Sequence, residues 1–395
     1  MITNDSIRRS IVQSNLFYGS VLSYFLCSQL FAQSFDAAPP LAGERGAERL
    51  GRIDCEGPLA QREVREAKPK AELAAPADGD QQEAIESAIR KSIPLLEKGA
   101  AGHRDQRTCF TCHGQTLPVL ALVAANQRGF TIDKDNLQSQ VKRAADHMKR
   151  GRKNYLIGRG QGGGHTTAGY ALWTMEVGGA KPDEVTTAVG AYLVWDKKAD
   201  HWRSSSNRPP SEGSHFTATY LAVRALDVFG AKEQADLIAS RKKKSLDWLL
   251  RTKAKDTEDR VFRLLALHRL DADSDTIRAA AKQLIESQRD DGGWAQIADL
   301  KSDAYATGSA LFSLHEAEQI EVGDPVYRRG LRFLLQDQRD DGSWFVKSRS
   351  KPFQKHFESG FPHGKDQFIS ITGSGWATLA LSLAAPEREP AKGGE

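Results

Sequence analysis

Ala280 to Leu314 reads A-A-K-Q-L-I-E-S-Q-R-D-D-G-G-W-A-Q-I-A-D-L-K-S-D-A-Y-A-T-G-S-A-L-F-S-L. Ile277, Ala280, Ala281, Leu284 and Ile285 stand at i, i+3, i+4, i+7 and i+8, one apolar stripe on an amphipathic helix. Gly292 can take the positive φ that ends such a helix. Ala304 to Leu314 is small and apolar on most faces, as a helix buried on both sides should be. The stretch therefore predicts one outer helix, a Gly–Trp turn and one inner helix. Its first half returns fifty residues later, with Gly330, Phe333, Leu334, Gln338, Gly342 and Trp344 in register with Ala280, Gln283, Leu284, Gln288, Gly292 and Trp294. A helix pair repeated at such a period signals a repeat architecture. Trp294 and Trp344 are expected to lie back over the helix ends as buried clasps, with Gln288 and Gln338 hydrogen-bonding nearby.

The same alternation runs from Gln81 onward. Outer stripes fall at Ile85–Leu96, Leu137–Met148, Val185–Leu193 and Leu237–Leu250, ahead of the two motif-bearing helices. Inner candidates follow each: Thr116–Ala125, Thr166–Val177, Phe216–Phe229, Val261–Leu270, Ala304–Leu314 and Ser370–Ala384. Six outer and six inner helices are what a closed toroid needs, so the expected fold is an all-α (α/α)6 toroid over residues 81–385. The fourth pair departs from the rest: it lacks the Gly–Trp turn, and its inner helix carries Arg260 and Arg263.

The run Arg329-Gly330-x2-Phe333-Leu334-x3-Gln338-x3-Gly342-x-Trp344 resembles the repeat of squalene–hopene cyclases, often called the QW motif. Protein prenyltransferase β subunits share the same helix-pair toroid. The resemblance implies a central apolar cavity and an isoprenoid or other apolar small molecule as partner. His165 and His215, each opening an inner helix, are similar to the inner-helix His that binds zinc in the prenyltransferases. The Asp-x-Cys partner of that zinc site is half present, as Asp303-Ala304-Tyr305. Ser359–Phe368 resembles the G-F-P-G tail of the cyclases, and within it His363 and Asp366 are a candidate acid–base pair or helix cap. The cyclases protonate an alkene from an Asp-x-Asp-Asp motif. The nearest match is Asp271-Ala272-Asp273-Ser274-Asp275, which falls before an outer helix and reads as a cap at Ser274 or Asp275. The chain also carries one toroid where the cyclases carry two, which weighs against cyclase activity.

The sharpest local signal is Cys109-Phe110-Thr111-Cys112-His113, just before the first inner helix. Thiols at i and i+3 share a helix face and can reach both vinyl groups of a haem, while the adjacent His113 ligates the iron. Zinc is the alternative, with both thiolates and His113, His165 or His215. A Cys109–Cys112 disulfide or two reduced thiols are the plain readings. Met148, Met175, His165 and His215 are candidates for a sixth iron ligand. The loop Gly158–Gly164 is rich in glycine but lacks the Lys-Ser/Thr ending of a P-loop, so close backbone packing is its expected role. Because every one of these residues precedes an inner helix, Cys109, Cys112, His113, His165, His215, Asp303, His363 and Asp366 are expected at one end of the toroid. The pocket beneath them is expected to be lined by Tyr170, Tyr220, Tyr305 and Trp376.

Residues 1–34 read as an export signal: Arg8 and Arg9 precede the mostly apolar Leu16–Phe31, and Ala32-Gln33-Ser34 offers a small-x-small cleavage site. This predicts a periplasmic or extracellular protein that is not integral to a membrane after cleavage. The leading expectation is an exported toroid carrying covalent haem, with a redox partner or a ligand-binding role; a cyclase- or prenyltransferase-like enzyme acting on an apolar isoprenoid and a non-catalytic binding or scaffold toroid are the alternatives. An uncleaved anchor is the alternative, for which the stretch is short and polar. Residues 35–80 read as a disordered linker and 386–395 as a polar tail. The net charge of +4 leaves no nucleic-acid footprint. The basic runs Lys149–Lys153 and Arg241–Lys244 read as solvated helix ends.

Overall fold

The computed structural model describes residues 78–196, 198–352 and 355–387, without the side chains of Asp78, Cys112 and His113. The export signal, all but the end of the expected linker, and residues 388–395 of the tail lie outside the described residues. The outer helices are α1 (Asp78–Gln106), α3 (Lys134–Leu156), α5 (Glu184–Leu193), α7 (Ala235–Arg251), α9 (Ser274–Ile285) and α11 (Pro325–Asp337). The inner helices are α2 (Leu117–Gln127), α4 (Gly164–Val177), α6 (His215–Phe229), α8 (Thr257–Arg269), α10 (Ala304–Glu316) and α12 (Gln367–Ala384). Helix α1 takes up the last residues of the segment expected as linker. No β-strand occurs among the described residues, only an isolated bridge between Arg208 and Glu212. No described helix is long and apolar enough to cross a membrane.

The inner helices form a closed ring: α2 packs on α4, α4 on α6, α6 on α8, α8 on α10, α10 on α12, and α12 returns to α2. The expected all-α (α/α)6 toroid is therefore the observed fold. Short polar caps set the helix starts. Asp133, Asp183, Asp256, Asp273, Asp303 and Asp324 each accept a hydrogen bond from a backbone N–H in the first turn of the helix that follows.

The Gln-Gly-Trp clasps join neighbouring units. Trp294 Nε1 donates to the Leu284 carbonyl at 2.8 Å, and Trp344 Nε1 to that of Leu334 at 2.7 Å, with both rings fully buried. Gln288 Nε2 donates to Gly292 O and, across to α11, to Val326 O, both at 2.9 Å. Gln338 Nε2 donates to Gly342 O and to Ala88 O of α1, both at 3.0 Å, so the last clasp closes the ring on the first helix. Gly342 has φ +88°, and a Cβ there would lie 2.6 Å from the Lys91 carbonyl of α1. Both the turn and the close approach of the next helix exclude a side chain. A third clasp has no Gly–x–Trp signature. Trp202 Nε1 donates to the Leu193 carbonyl at 2.8 Å, and its N–H to Thr219 Oγ1 at 3.2 Å. Arg241 lies over that ring at 4.2 Å, is buried, and donates to the Ala199 carbonyl. That corrects the reading of Arg241–Lys244 as a solvated run: Arg241 is a packing residue of the clasp.

Aromatic side chains from three inner helices meet inside the ring. Trp173 of α4 meets Phe312 of α10 and Trp376 of α12 at 6.3 Å between ring centroids, and Phe312 meets Trp376 at 5.3 Å. Arg224 lies over Trp173 at 4.9 Å while its guanidinium forks onto Glu176 at 2.7 and 2.9 Å. Where an open apolar cavity was expected along the axis, large aromatic side chains reach across and touch.

Candidate active site

The loops feeding the inner helices meet at one end. His165 Nδ1 lies 3.4 Å from the Arg203 carbonyl, and His215 Nδ1 accepts from Ser204 N–H at 3.1 Å, so one short segment touches both. Ser350 Oγ, before α12, donates to the Pro209 carbonyl, before α6, at 3.0 Å. Arg349 donates to Gln296 Oε1 at 3.1 Å, and Gln296 Nε2 donates to Asp303 Oδ2 at 2.9 Å. Arg107, just ahead of Cys109, donates to the Lys355 carbonyl at 2.8 Å and lies 4.1 Å over Phe357. The two longest loops, before α6 and before α12, thus cover this end.

The expected site residues are near one another but engaged separately. The His165 ring stacks on Tyr192 at 4.9 Å. His215 faces His201 at 5.5 Å, and burial holds the pKa of both His165 and His215 below the usual histidine value. His363 Nε2 lies 3.1 Å from Ser343 Oγ, between Phe345 and Phe361, and Asp366 accepts from Ser348 N–H at 2.8 Å. Asp303 caps α10 through Ala306 N–H at 2.9 Å, and burial pushes its carboxyl up to about 6. Cys109 is an exposed free thiol. The side chains of Cys112 and His113 lie outside the described residues; their backbone opens a short π-helical turn, Cys112–Thr116, capped by Thr111. Among the described residues, no three His, Cys, Asp or Glu side chains gather to hold a metal ion.

The cluster with the clearest chemistry lies at the start of inner helix α8, and sequence reading passed over it. Asp256-Thr257-Glu258-Asp259 opens α8. Asp256 caps the helix through Asp259 N–H at 3.0 Å. Glu258 points inward and is 4% exposed. Thr217 of α6 donates its hydroxyl to Glu258 Oε1 at 2.8 Å, and Tyr305 of α10 donates its own to Oε2 at 3.0 Å. Asp259 accepts from Ser214 Oγ at 2.7 Å and Lys255 N–H at 3.0 Å. Burial drives the Glu258 carboxyl well above the ordinary range against the pull of the Thr217 hydroxyl, and Asp256 and Asp259 add to the rise. The signal was in the sequence: Asp-x-Glu-Asp has the spacing of Asp-x-Asp-Asp, with Glu in third place, and it starts an inner helix. Asp271–Asp275 does not. There Asp273, rather than Ser274 or Asp275, caps outer helix α9 through Thr276 N–H at 2.9 Å.

No protein-family model matches the chain. No curated protein matches it. Among solved structures it is similar to the type II terpene cyclase MstE from Scytonema. A variant of that enzyme in complex with merosterolic acid A (product) superimposes with a TM-score of 0.52 at 14% identity, covering 79% of this chain and 100% of that one. A second variant, in complex with geranylgeranyl dihydroxybenzoate (substrate), gives 0.51 at 13% identity over 78% and 99%. The apo enzyme gives 0.50 at 14% identity over the same shares. At these identities the likeness establishes the fold: a terpene-cyclase-like helical toroid.

Proposed function

We propose that this protein is an acid-initiated cyclase of an apolar isoprenoid, with Glu258 as the proton donor. The observation that carries the reading is a buried carboxyl group at the start of an inner helix, with a hydroxyl on each of its oxygens and a pKa raised by burial. Protonating an alkene requires a proton that stays on the acid at working pH and a site that excludes water. In the proposed step the Glu258 O–H bond breaks and a C–H bond forms at one alkene carbon, leaving a carbocation at the other. A second alkene supplies its π electrons to that cation, and a proton lost at the end balances the one delivered. Thr217 and Tyr305 already donate to the two oxygens on which negative charge develops, which stabilises the carboxylate without reorganisation. The faces of Trp173, Phe312 and Trp376 below can stabilise cationic carbon. In this reading substrate enters where the loops before α6 and α12, joined by the Ser350–Pro209 hydrogen bond, part.

The test is turnover of polyprenyl substrates by the full chain, beginning with geranylgeranyl dihydroxybenzoate, the substrate bound in the Scytonema cyclase complex. Cyclised product from the native protein, lost in a folded Glu258→Gln variant, is the expected result. Equal turnover by both proteins would remove Glu258 from the chemistry.

The exposed Cys109 thiol at the same rim favours a second reading: an exported redox protein with covalent haem at Cys109, Cys112 and His113, or with zinc held by the two thiolates and histidine. One accessible thiol ahead of the buried Phe110 suits a group attached at the surface of the rim. A pyridine haemochrome spectrum of protein from its native envelope decides it. A haem band supports the haem form, and stoichiometric zinc supports the metal form. Two free thiols with neither group would remove both.

A further inference from the structure

The repeat breaks in the fourth unit. Helix α7 ends at Arg251 and α8 begins at Thr257, so residues 252–256 replace the longer clasp-bearing loops. In units three, five and six a Trp indole donates to the carbonyl of Leu193, Leu284 or Leu334 at the end of the outer helix. In the fourth, the equivalent Leu249 carbonyl accepts from Arg263 Nε at 3.0 Å. Beside that contact is a solvent-open cavity of ≈ 420 Å³, lined by Arg251, Lys253, Arg260, Arg263, Gln283 and Glu286 among others. An arginine has taken over the indole's hydrogen bond.

We propose that this cavity is a binding site for a small phosphate-bearing anion. Four cationic side chains line the cavity with one carboxylate, Glu286, which already pairs with Lys282 at 3.7 Å; the helix-capping Asp256 beside Arg260 is the other acidic neighbour. Arg251 pairs with Asp200, and Arg263 commits its Nε to Leu249, which leaves its terminal nitrogens for a ligand. Lys253 and Arg260 make no ion pair among the described residues. Guanidinium forks match phosphate geometry, and convergent like charges in a half-buried site lose their mutual repulsion when an anion binds. Burial already depresses the Arg263 pKa, the direction expected of a cation held without a full counter-charge. The volume is that of a small-ligand site, about 300–1,000 Å³. The site is separate from the proposed acid: Glu258 faces the ring axis, whereas Arg260 and Arg263 face the outer helices from the same α8.

Calorimetric titration of the full chain with inorganic diphosphate, against sodium chloride at matched ionic strength, tests the proposal. A parallel sedimentation with phosphatidate vesicles separates a lipid headgroup from a free ligand. Saturable binding of either probe is expected, weakened at least about tenfold in Lys253→Ala/Arg260→Ala, with an unchanged melting temperature in the absence of ligand. Arg260→Glu, which places a carboxylate in the cavity, should abolish binding and serves if the double variant folds poorly. No binding above the chloride control, or equal binding by a folded variant, would overturn the proposal. Neither result bears on turnover at Glu258.

Discussion

Trp344→Ala tests whether the clasps hold the ring closed. The indole is fully buried, and its Nε1 donates to the Leu334 carbonyl at 2.7 Å. Burying a ring of ~150–250 Å² at about 25 cal/mol per Å² is worth roughly 4–6 kcal/mol as an upper bound. Truncation to alanine in a partly relaxing site typically costs about 3–5 kcal/mol. The lost hydrogen bond adds little, on the order of 1 kcal/mol, because the Leu334 carbonyl keeps the Gln338 N–H at 3.1 Å. The expected loss is therefore about 4–5 kcal/mol, enough to lower the melting temperature by on the order of 10 °C. Urea unfolding followed by far-UV circular dichroism measures it. Phe345→Ala, one residue along and 36% exposed, is the control and should cost under about 1 kcal/mol. A Trp344→Ala loss no larger than the control's would refute the clasp and leave the closure of α11 on α1 unexplained.

Other expectations follow from the same contacts. Gly342→Ala combines a left-handed φ with a Cβ 2.6 Å from the Lys91 carbonyl, and should destabilise by at least about 2 kcal/mol in the same unfolding assay. Glu258→Gln should stabilise the protein increasingly with pH. The native fold holds the Glu258 proton above 4.5, where the unfolded chain releases it, so stability falls as pH rises through that value and levels off above the folded pKa. Comparing the two proteins at about pH 5 and about pH 8 should show the variant's advantage growing with pH; parallel curves would mean Glu258 ionises normally. Asp303→Asn should behave likewise over 3.8 to about 6, relieving up to roughly 3 kcal/mol less whatever the amide loses as a cap, and a pH-independent difference would contradict it.

The twelve helices were legible because their signals are local. Stripes such as Ile277–Ile285 and turns such as Gly342–Trp344 need only a few consecutive residues to be read. What escaped depends on residues far apart in the chain. Trp202 clasps α5 as Trp344 clasps α11, but Asp200-His201 precedes it in place of Gly-x, so the pattern that flagged the others passes it by. Arg241 sits in a basic run whose local sequence matches a solvated helix end, and only the distant Trp202 beneath it makes it a packing residue. Glu258 owes its burial and its partners to Thr217 and Tyr305, on helices α6 and α10 that only ring closure brings to its sides. Periodicity also placed Tyr170, Tyr220, Tyr305 and Trp376 inward, but whether side chains from opposite helices meet depends on the ring's radius. Here Trp173 and Phe312 do meet, at 6.3 Å between ring centroids, where an open cavity was expected.

Delivery of a proton from Glu258 to carbon would leave a solvent-derived hydrogen in the product. Turnover of a polyprenyl substrate in deuterated water, with the product examined by mass spectrometry and NMR, tests it most directly. One deuterium at the carbon where cyclisation starts, absent when Glu258→Gln replaces the native protein, is the predicted result. Cyclised product without solvent deuterium, or with the same label from the Glu258→Gln protein, would contradict it.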